Sequence, residues 1–360
     1  MIQISPETQL FIREHSSDDV RALALQAKKY PDINMPTAIT QIAGRQVAAE
    51  KIPSWREIEE IWYPKHLSLE QCSSEITARY KARLFQGDSL IDLTGGFGID
   101  CSFLATGFKT ATYVERQEEL CEIAAHNFPI LNLNHINVRN EDGVAYLQTM
   151  SPVDCIFLDP ARRNEHGGKT VAISDCEPNV AELEALLLSK ANRVMIKLSP
   201  MLDLSLALKE LKHTQEVHIL SVNNECKELL ILLGQTSPAE ITIHCVNLFT
   251  KGTQEEQHFV FTREQEQRSQ CTYTDSLGNY LYEPNASLLK AGAFRSIAAA
   301  YPVRKLHPNS HLYTSGEPIK NFPGRSFRIT GICTLNKKEL KSVLGDLKKA
   351  NITVRNFPSS

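Results

Sequence analysis

The sequence predicts an α/β fold built on a mainly parallel sheet covered on both faces, and three observations carry that prediction. Between about residues 70 and 235, short apolar runs alternate with amphipathic helical stretches. The first of these runs passes through a glycine-rich turn into a helix, as Leu90-Ile91-Asp92-Leu93-Thr94-Gly95-Gly96-Phe97-Gly98-Ile99-Asp100. The last two runs are separated only by Asn223 to Lys227, too short for a crossover helix, so those two strands are expected to be antiparallel.

Taken in order, residues 1–66 read as a helical segment. Asp18-Asp19 can cap a helix running through Ala27, with Val20, Leu23, Ala24 and Ala27 on one face. Trp55, Ile58, Ile61 and Trp62 follow at helical spacing, and both tryptophans are expected to pack in a core or interface. Residues 71–85 read as a helix with Ser73 or Ser74 as its N-cap. Strands are expected over 89–93, 110–114, 136–139, 153–158, 193–198, 217–222 and 228–233. Helices are expected over 98–105, 118–128, 143–149, 179–189 and 204–211. Residues 238–285 look β-rich, with a hairpin whose arms, 241–248 and 258–261, flank Thr250-Lys251-Gly252-Thr253. Residues 325–333, 337–349 and 352–356 form a terminal β-α-β pattern. The expected organisation is therefore a helical segment over 1–66, an α/β core over 67–235, and a β-rich connection with a small α+β domain over 236–360.

Composition bounds the function. The chain is 42% hydrophobic and 22% charged, ordinary for a globular protein that needs no staples. Its nine cysteines include no Cys-x-x-Cys pair, and several lie inside apolar runs such as Asp154-Cys155-Ile156-Phe157-Leu158. Reduced, buried thiols and no zinc knuckle are expected. His307 and His311 stand four apart with no acid or cysteine nearby at ligand spacing, so no metal is expected. The N-terminus lacks a basic start followed by an apolar stretch, and no apolar run approaches the ~20 residues of a membrane span. A cytoplasmic chain away from membranes is the expectation. The net charge of −3 hides an asymmetry. Residues 286–360 hold thirteen basic and three acidic side chains, a net +10, which leaves −13 on residues 1–285. Such a division suggests a polyanion-binding appendage on an acidic body. It also suits two domains docked by charge.

The glycine turn points to a cofactor. Glycines let the backbone turn tightly and approach a ligand closely, but a glycine turn alone also serves as a phosphate loop or merely a turn. No Lys-Ser/Thr tail follows it, which argues against a Walker loop, and it is not Gly-x-Gly-x-x-Gly. Glu115 ends the next strand, where a carboxylate can accept from both hydroxyls of a ribose. Asn140-Glu141-Asp142-Gly143 follows the third strand, where an acid can accept from an adenine amine. Together these describe a nucleoside pocket at the carboxyl ends of parallel strands.

On those residues the sequence resembles the class I S-adenosylmethionine methyltransferases. Asp92-Leu93-Thr94-Gly95-Gly96-Phe97-Gly98 looks like their first motif, Glu115 like the ribose acid and Asp142 like the adenine contact. The resemblance implies a Rossmann-like sheet of order 3-2-1-4-5-7-6. It implies S-adenosylmethionine as cofactor, contacted by Asp92, Thr94, Gly95, Gly96, Gly98, Asp100, Glu115 and Asp142. Strand four ends as Asp159-Pro160-Ala161-Arg162-Arg163, which resembles the Asp/Asn-Pro-Pro-aromatic motif of amino-directed nucleic-acid methyltransferases. That likeness implies that Asp159 and Pro160 hold an exocyclic amine. Ala161 and Arg162 depart from the motif, although a guanidinium can also stack on a base or clamp a phosphate. Asp159, Pro160 and Arg162 are the expected catalytic residues. Residues 164–170 read either as a lid or as a plain surface loop. His166 within them is not expected to act as a base, and Lys197 is expected to pack at its strand end rather than contact substrate.

The basic C-terminal part, with the run Glu283-Pro284-Asn285-Ala286-Ser287-Leu288-Leu289-Lys290-Ala291-Gly292-Ala293, resembles bacterial methyltransferases carrying a THUMP-like C-terminal domain. This implies an RNA partner, with Arg304, Lys305, Lys320, Arg325, Arg328, Lys337, Lys338 and Lys341 as candidate phosphate contacts. The leading expectation is an enzyme that methylates an exocyclic base amine in RNA. A protein or small-molecule acceptor, and a non-catalytic RNA-binding protein on a methyltransferase fold, stand as alternatives.

Overall fold

The computed structural model describes residues 4–162, 172–334, 336–345, 347, 349 and 351. The chain divides into two compact units, residues 1–215 with 230–237, and residues 216–229 with 238–360.

The first unit opens with helices α1 (Pro6–Glu14), α2 (Val20–Leu25), α3 (Met35–Lys51), α4 (Pro53–Arg56), α5 (His66–Gln71) and α6 (Glu75–Ala82). Ser5, Asp19 and Asn34 cap α1, α2 and α3, each side chain accepting a first-turn backbone N–H. Trp55 is buried against Phe97 of the glycine turn, ring centroids 5.3 Å apart. Ile52, Ile61, Tyr63, Leu69 and Ala78 join them in one apolar cluster with Ile99 and Ile123. The helical segment thus shares a core with the first β-α turn and supports it.

The alternation follows as β1 (Gly87–Asp92), α7 (Ile99–Leu104), β2 (Phe108–Glu115), α8 (Glu118–Ile130), β3 (Ile136–Asn140), α9 (Gly143–Thr149) and β4 (Val153–Leu158). Two short strands, β5 (Ala161–Arg162) and β6 (Cys176–Glu177), pair antiparallel. Then come α10 (Val180–Lys190), β7 (Ala191–Leu198), α11 (Leu204–Glu210), β8 (Thr214–Val222) and β9 (Glu225–Gly234). β1 pairs in parallel with β2 and β4, β2 with β3, and β4 with β7. Cys155 to Leu158 and Val194 to Ile196 are buried without alternation, as strands covered on both faces require. Asn223 and Asn224, with φ of 50° and 68°, form the whole connection between β8 and β9. Two consecutive residues at positive φ make the tight turn of an antiparallel hairpin, and Asn tolerates that region.

In the second unit, the β8 residues pair in parallel with β10 (Thr242–Leu248), which pairs antiparallel with β11 (Glu256–Thr262). The hairpin expected over 238–285 therefore extends the main sheet. The nine-stranded order is β11-β10-β8-β9-β7-β4-β1-β2-β3, and from β8 onward it is the 3-2-1-4-5-7-6 arrangement read in reverse. After α12 (Arg263–Arg268) come β12 (Tyr280–Pro284), α13 (Ala286–Ala291), α14 (Ser296–Ala300), β13 (Arg304–Lys305), β14 (Tyr313–Ser315), β15 (Gly324–Arg328) and α15 (Lys337–Leu344). The four strands form a small antiparallel sheet, β13-β14-β12-β15, over a core of Tyr282, Tyr313, Leu288, Ile297 and Phe322. The strand expected over 352–356 lies outside the described residues. Among the described residues, no helix is long and apolar enough to cross a membrane.

Candidate active site

The ends of β1, β2, β3 and β4 open into a cavity of about 480 Å³ in the first unit. Asp92, Thr94, Gly95, Gly96, Gly98, Asp100, Glu115, Asp142 and Asp159 all line it. Leu120, Val144, Leu147, Leu93 and Leu183 supply apolar wall.

The first turn is built for close approach. A Cβ on Gly95 would lie 2.2 Å from the Tyr113 ring, and Gly98, at φ +86°, sets the left-handed entry to α7. Glu115 ties the turn to β2, its two oxygens accepting from the Gly96 and Gln117 N–H groups at 2.9 Å each. A carboxylate has about four acceptor positions, so this bracing leaves capacity for ligand hydroxyls. Asp142 Oδ1 caps α9 by accepting from Val144 and Ala145 at 3.0 and 2.9 Å.

The carboxyl groups beneath the cavity differ in their surroundings. Asp92 is 1% exposed. Its Oδ1 accepts from the Thr94 N–H at 3.0 Å, and its Oδ2 has no donor among the described residues. Burial, together with the nearby Asp100 and Asp159, pushes its pKa well above the usual carboxylate range. Burial pushes Asp100 up as well, but Lys197 and Lys81 outweigh it and hold that carboxyl well below the usual range. Lys81 Nζ lies 3.0 Å from Asp100 Oδ1, and Lys197 Nζ lies 3.1 Å from Oδ2. Ser73 completes the knot, donating to Asp100 Oδ2 at 2.7 Å and accepting from Lys81 and Lys197 at 2.9 and 3.0 Å.

Lys197 also reaches Asp159 Oδ2 at 2.6 Å. Asp159 is enclosed by protein yet keeps 38% of its side chain open, so its environment is intermediate between core and solvent. Enclosure raises its pKa against the pull of Lys197. Its backbone N–H donates to Thr94 Oγ1 at 2.6 Å, which fixes the end of β4 to the glycine turn. Pro160 is buried and does not line the cavity, whereas Ala161 does. The Arg162 side chain, Arg163, His166 and the loop over 164–170 lie outside the described residues.

Three polar residues of this site are not singled out as functional by the sequence reading. Lys197 is there assigned to packing, yet it is an ion-pair hub with 7% exposure. Ser73 is there a helix cap. Lys81 lies on amphipathic α6, where a lysine ordinarily faces water, and no local signal distinguishes it. In the second unit, Lys305 departs from its expected place on a phosphate-facing surface. It is buried, donates to the carbonyls of His307 and Pro308 at 3.0 and 2.6 Å, and burial lowers its pKa. Arg325 is held by Glu283, so it too is engaged within the fold. Arg304, Lys320, Arg328, Lys337, Lys338 and Lys341 are exposed. His311 stacks on Phe294 at 3.7 Å, and His307 accepts the Asn309 N–H.

Family models match three stretches of the chain. Residues 56–164 match the protein-L-isoaspartate(D-aspartate) O-methyltransferase model. Residues 280–323 match a ferredoxin-like domain, and residues 324–360 a THUMP domain-like model. No curated protein matches. Among solved structures, a candidate methyltransferase from Porphyromonas gingivalis W83 aligns over 100% of this chain and 91% of its own, at 35% identity and a TM-score of 0.86. An rRNA methylase from Streptococcus thermophilus aligns over 44% of this chain and 93% of its own, at 14% identity and a TM-score of 0.32. A Streptococcus mutans candidate methyltransferase, in complex with SAH, aligns over 44% and 96%, at 13% identity and a TM-score of 0.32.

Proposed function

The chain belongs to the class I methyltransferases that carry a THUMP-like C-terminal domain, and from that premise we propose that it methylates an exocyclic base amine of RNA, with S-adenosylmethionine as donor. The observation that carries the reading is Asp159, held by Lys197 at the edge of the cavity that also contains the glycine turn, Glu115 and Asp142.

The residues present suit that cofactor. The cavity volume falls in the range of about 300–1,000 Å³ usual for small-molecule sites. The buried Oδ2 of Asp92 lacks a donor among the described residues, which a ligand ammonium can supply. Glu115 would hold the ribose and Asp142 the adenine amine, with Leu120, Val144 and Leu147 packing the ring. When bound, the sulfonium supplies an already activated methyl group. The protein's task is then to position the acceptor. Asp159 accepts a hydrogen bond from the amine N–H and turns the nitrogen lone pair toward the cofactor side of the cavity. Lys197 sustains the ionised form of Asp159 and steadies its rotamer, while Thr94 anchors its backbone. The THUMP domain-like match and the exposed C-terminal cations support RNA as the acceptor.

The test is transfer of tritium from labelled S-adenosylmethionine to total bacterial RNA, with Asp159→Ala as control. Label should enter RNA and vanish in the variant, which should still bind the cofactor. Label that enters protein instead would favour a second reading, a protein acceptor, for which the O-methyltransferase model matched over 56–164 is the support.

A further inference from the structure

We propose that Glu216, His218 and His244, on β8 and β10 of the second unit, bind a divalent metal ion of the zinc class. The sequence reading expects no metal, since His307 and His311 have no acid or cysteine at ligand spacing; the three residues here come from two strands that are distant along the chain. Glu216 and His218 are two apart on β8 and share a face. The parallel register sets His244 directly opposite His218, and their rings stack with centroids 4.3 Å apart at 7°. One ligand atom from each of the three residues lies within 4.8 Å of the others. His218 Nε2 is 3.2 Å and His244 Nε2 is 3.8 Å from Glu216 Oε2. Donors in a tetrahedral site with bonds of about 2.0–2.1 Å stand about 3.3–3.4 Å apart. The His218 spacing is close to that already, His244 must approach Glu216 by about half an ångström, and one of the two stacked imidazoles must turn so that both in-plane lone pairs point at the ion.

A plain ion pair accounts for His218 and Glu216 but not for His244. At 3.8 Å, His244 Nε2 is too far from the carboxylate for a hydrogen bond. Its other nitrogen, Nδ1, lies 3.1 Å from Nε2 of His258 on β11. With Nδ1–H donating to His258, the lone pair of His244 resides on Nε2, the atom beside Glu216. This is the arrangement in which an outer histidine orients a metal ligand. Coordination through Nε2 leaves the ring proton of His218 on Nδ1, the ion takes the place of the hydrogen bond between Nε2 and Glu216, and water takes the fourth position.

The test uses the full chain, stripped with a chelator and titrated with zinc by calorimetry, and with cobalt(II) by visible absorption. One equivalent should bind, and the melting temperature should rise with zinc. His244→Gln and Glu216→Gln should abolish both effects, while His258→Ala should weaken affinity about 10–100-fold at unchanged stoichiometry. Glu216 is half-exposed, so its variant should melt like the parent chain in chelator and report the metal alone. Absence of binding would overturn the proposal. So would binding that is unchanged in both glutamine variants, which would place the metal elsewhere in the chain.

Discussion

Asp92 and Asp100 flank one glycine turn, and their surroundings drive them in opposite directions. Ionised Asp92 faces burial and two neighbouring carboxyl groups with one backbone N–H in support. A raised folded pKa means that stability is lost as pH climbs from the unfolded value, about 3.9, through the folded one. Asp92→Asn should therefore leave the chain as stable or more stable at neutral pH, with the urea midpoint unchanged or higher at constant m. The same variant should weaken binding of S-adenosylhomocysteine in calorimetry. A clear drop in the midpoint would mean that the native carboxyl is ionised and partnered. Asp100 has the opposite sign. Its depressed pKa contributes stability that is complete above the unfolded value and lost as pH falls through the folded one. Lys81→Met removes a fully buried partner and should lower stability by up to about 3–5 kcal/mol at pH 7. That loss should shrink in acid below the ordinary carboxylate range, as denaturant titration at several pH values can check. Asp92, Glu115 and Asp159 stand out in the sequence because each ends or follows an apolar strand, whereas Asp100, inside α7, is named there only through the family resemblance. Lys81, Ser73 and Lys197 are not, because only their burial separates them from surface lysines and an ordinary cap.

At the scale of elements, the glycine turn shapes the candidate site. Gly98→Ala places a Cβ at φ +86° and should cost about 1–2 kcal/mol. Gly95→Ala should cost more, since its Cβ meets the Tyr113 ring. Comparison of the two melting temperatures tests that order. α9 and β4 have the bounds that their apolar periodicity predicts, because each is delimited by a local stop: Asp142 as a cap, Pro152 and Asp159-Pro160 at the strand ends. The turn Asn223-Asn224 is equally local. By contrast, pairing of β10 with β8 joins strands that are not consecutive, and no local pattern encodes that choice. α12, α13, α14, β13 and β14 are too short for periodicity to register, and their partners within the second unit decide them.

For the whole molecule, the +10 of residues 286–360 is not uniformly available, since Lys305 and Arg325 are engaged within the fold. RNA affinity should depend on the exposed cations. Charge removal at Arg304, Lys320, Arg328, Lys337 and Lys338 should flatten the slope of log K against log salt by about 0.7 for each single-strand phosphate that is no longer neutralised. Charge removal at Lys305 should instead destabilise the second unit. Filter binding across a salt series, beside thermal melts, separates the two effects. The parallel sheet has a consequence for the order of assembly. β1 meets β4 in the register Leu90↔Cys155, and Thr94 meets Asp159 across a separation of 65 residues. Loop-closure entropy must therefore be overcome before the glycine turn and Asp159 face each other across the cavity. A nascent chain emerging from the ribosome would expose a complete glycine turn well before it could bind anything there, so ligand capture marks the closing of the sheet rather than its beginning.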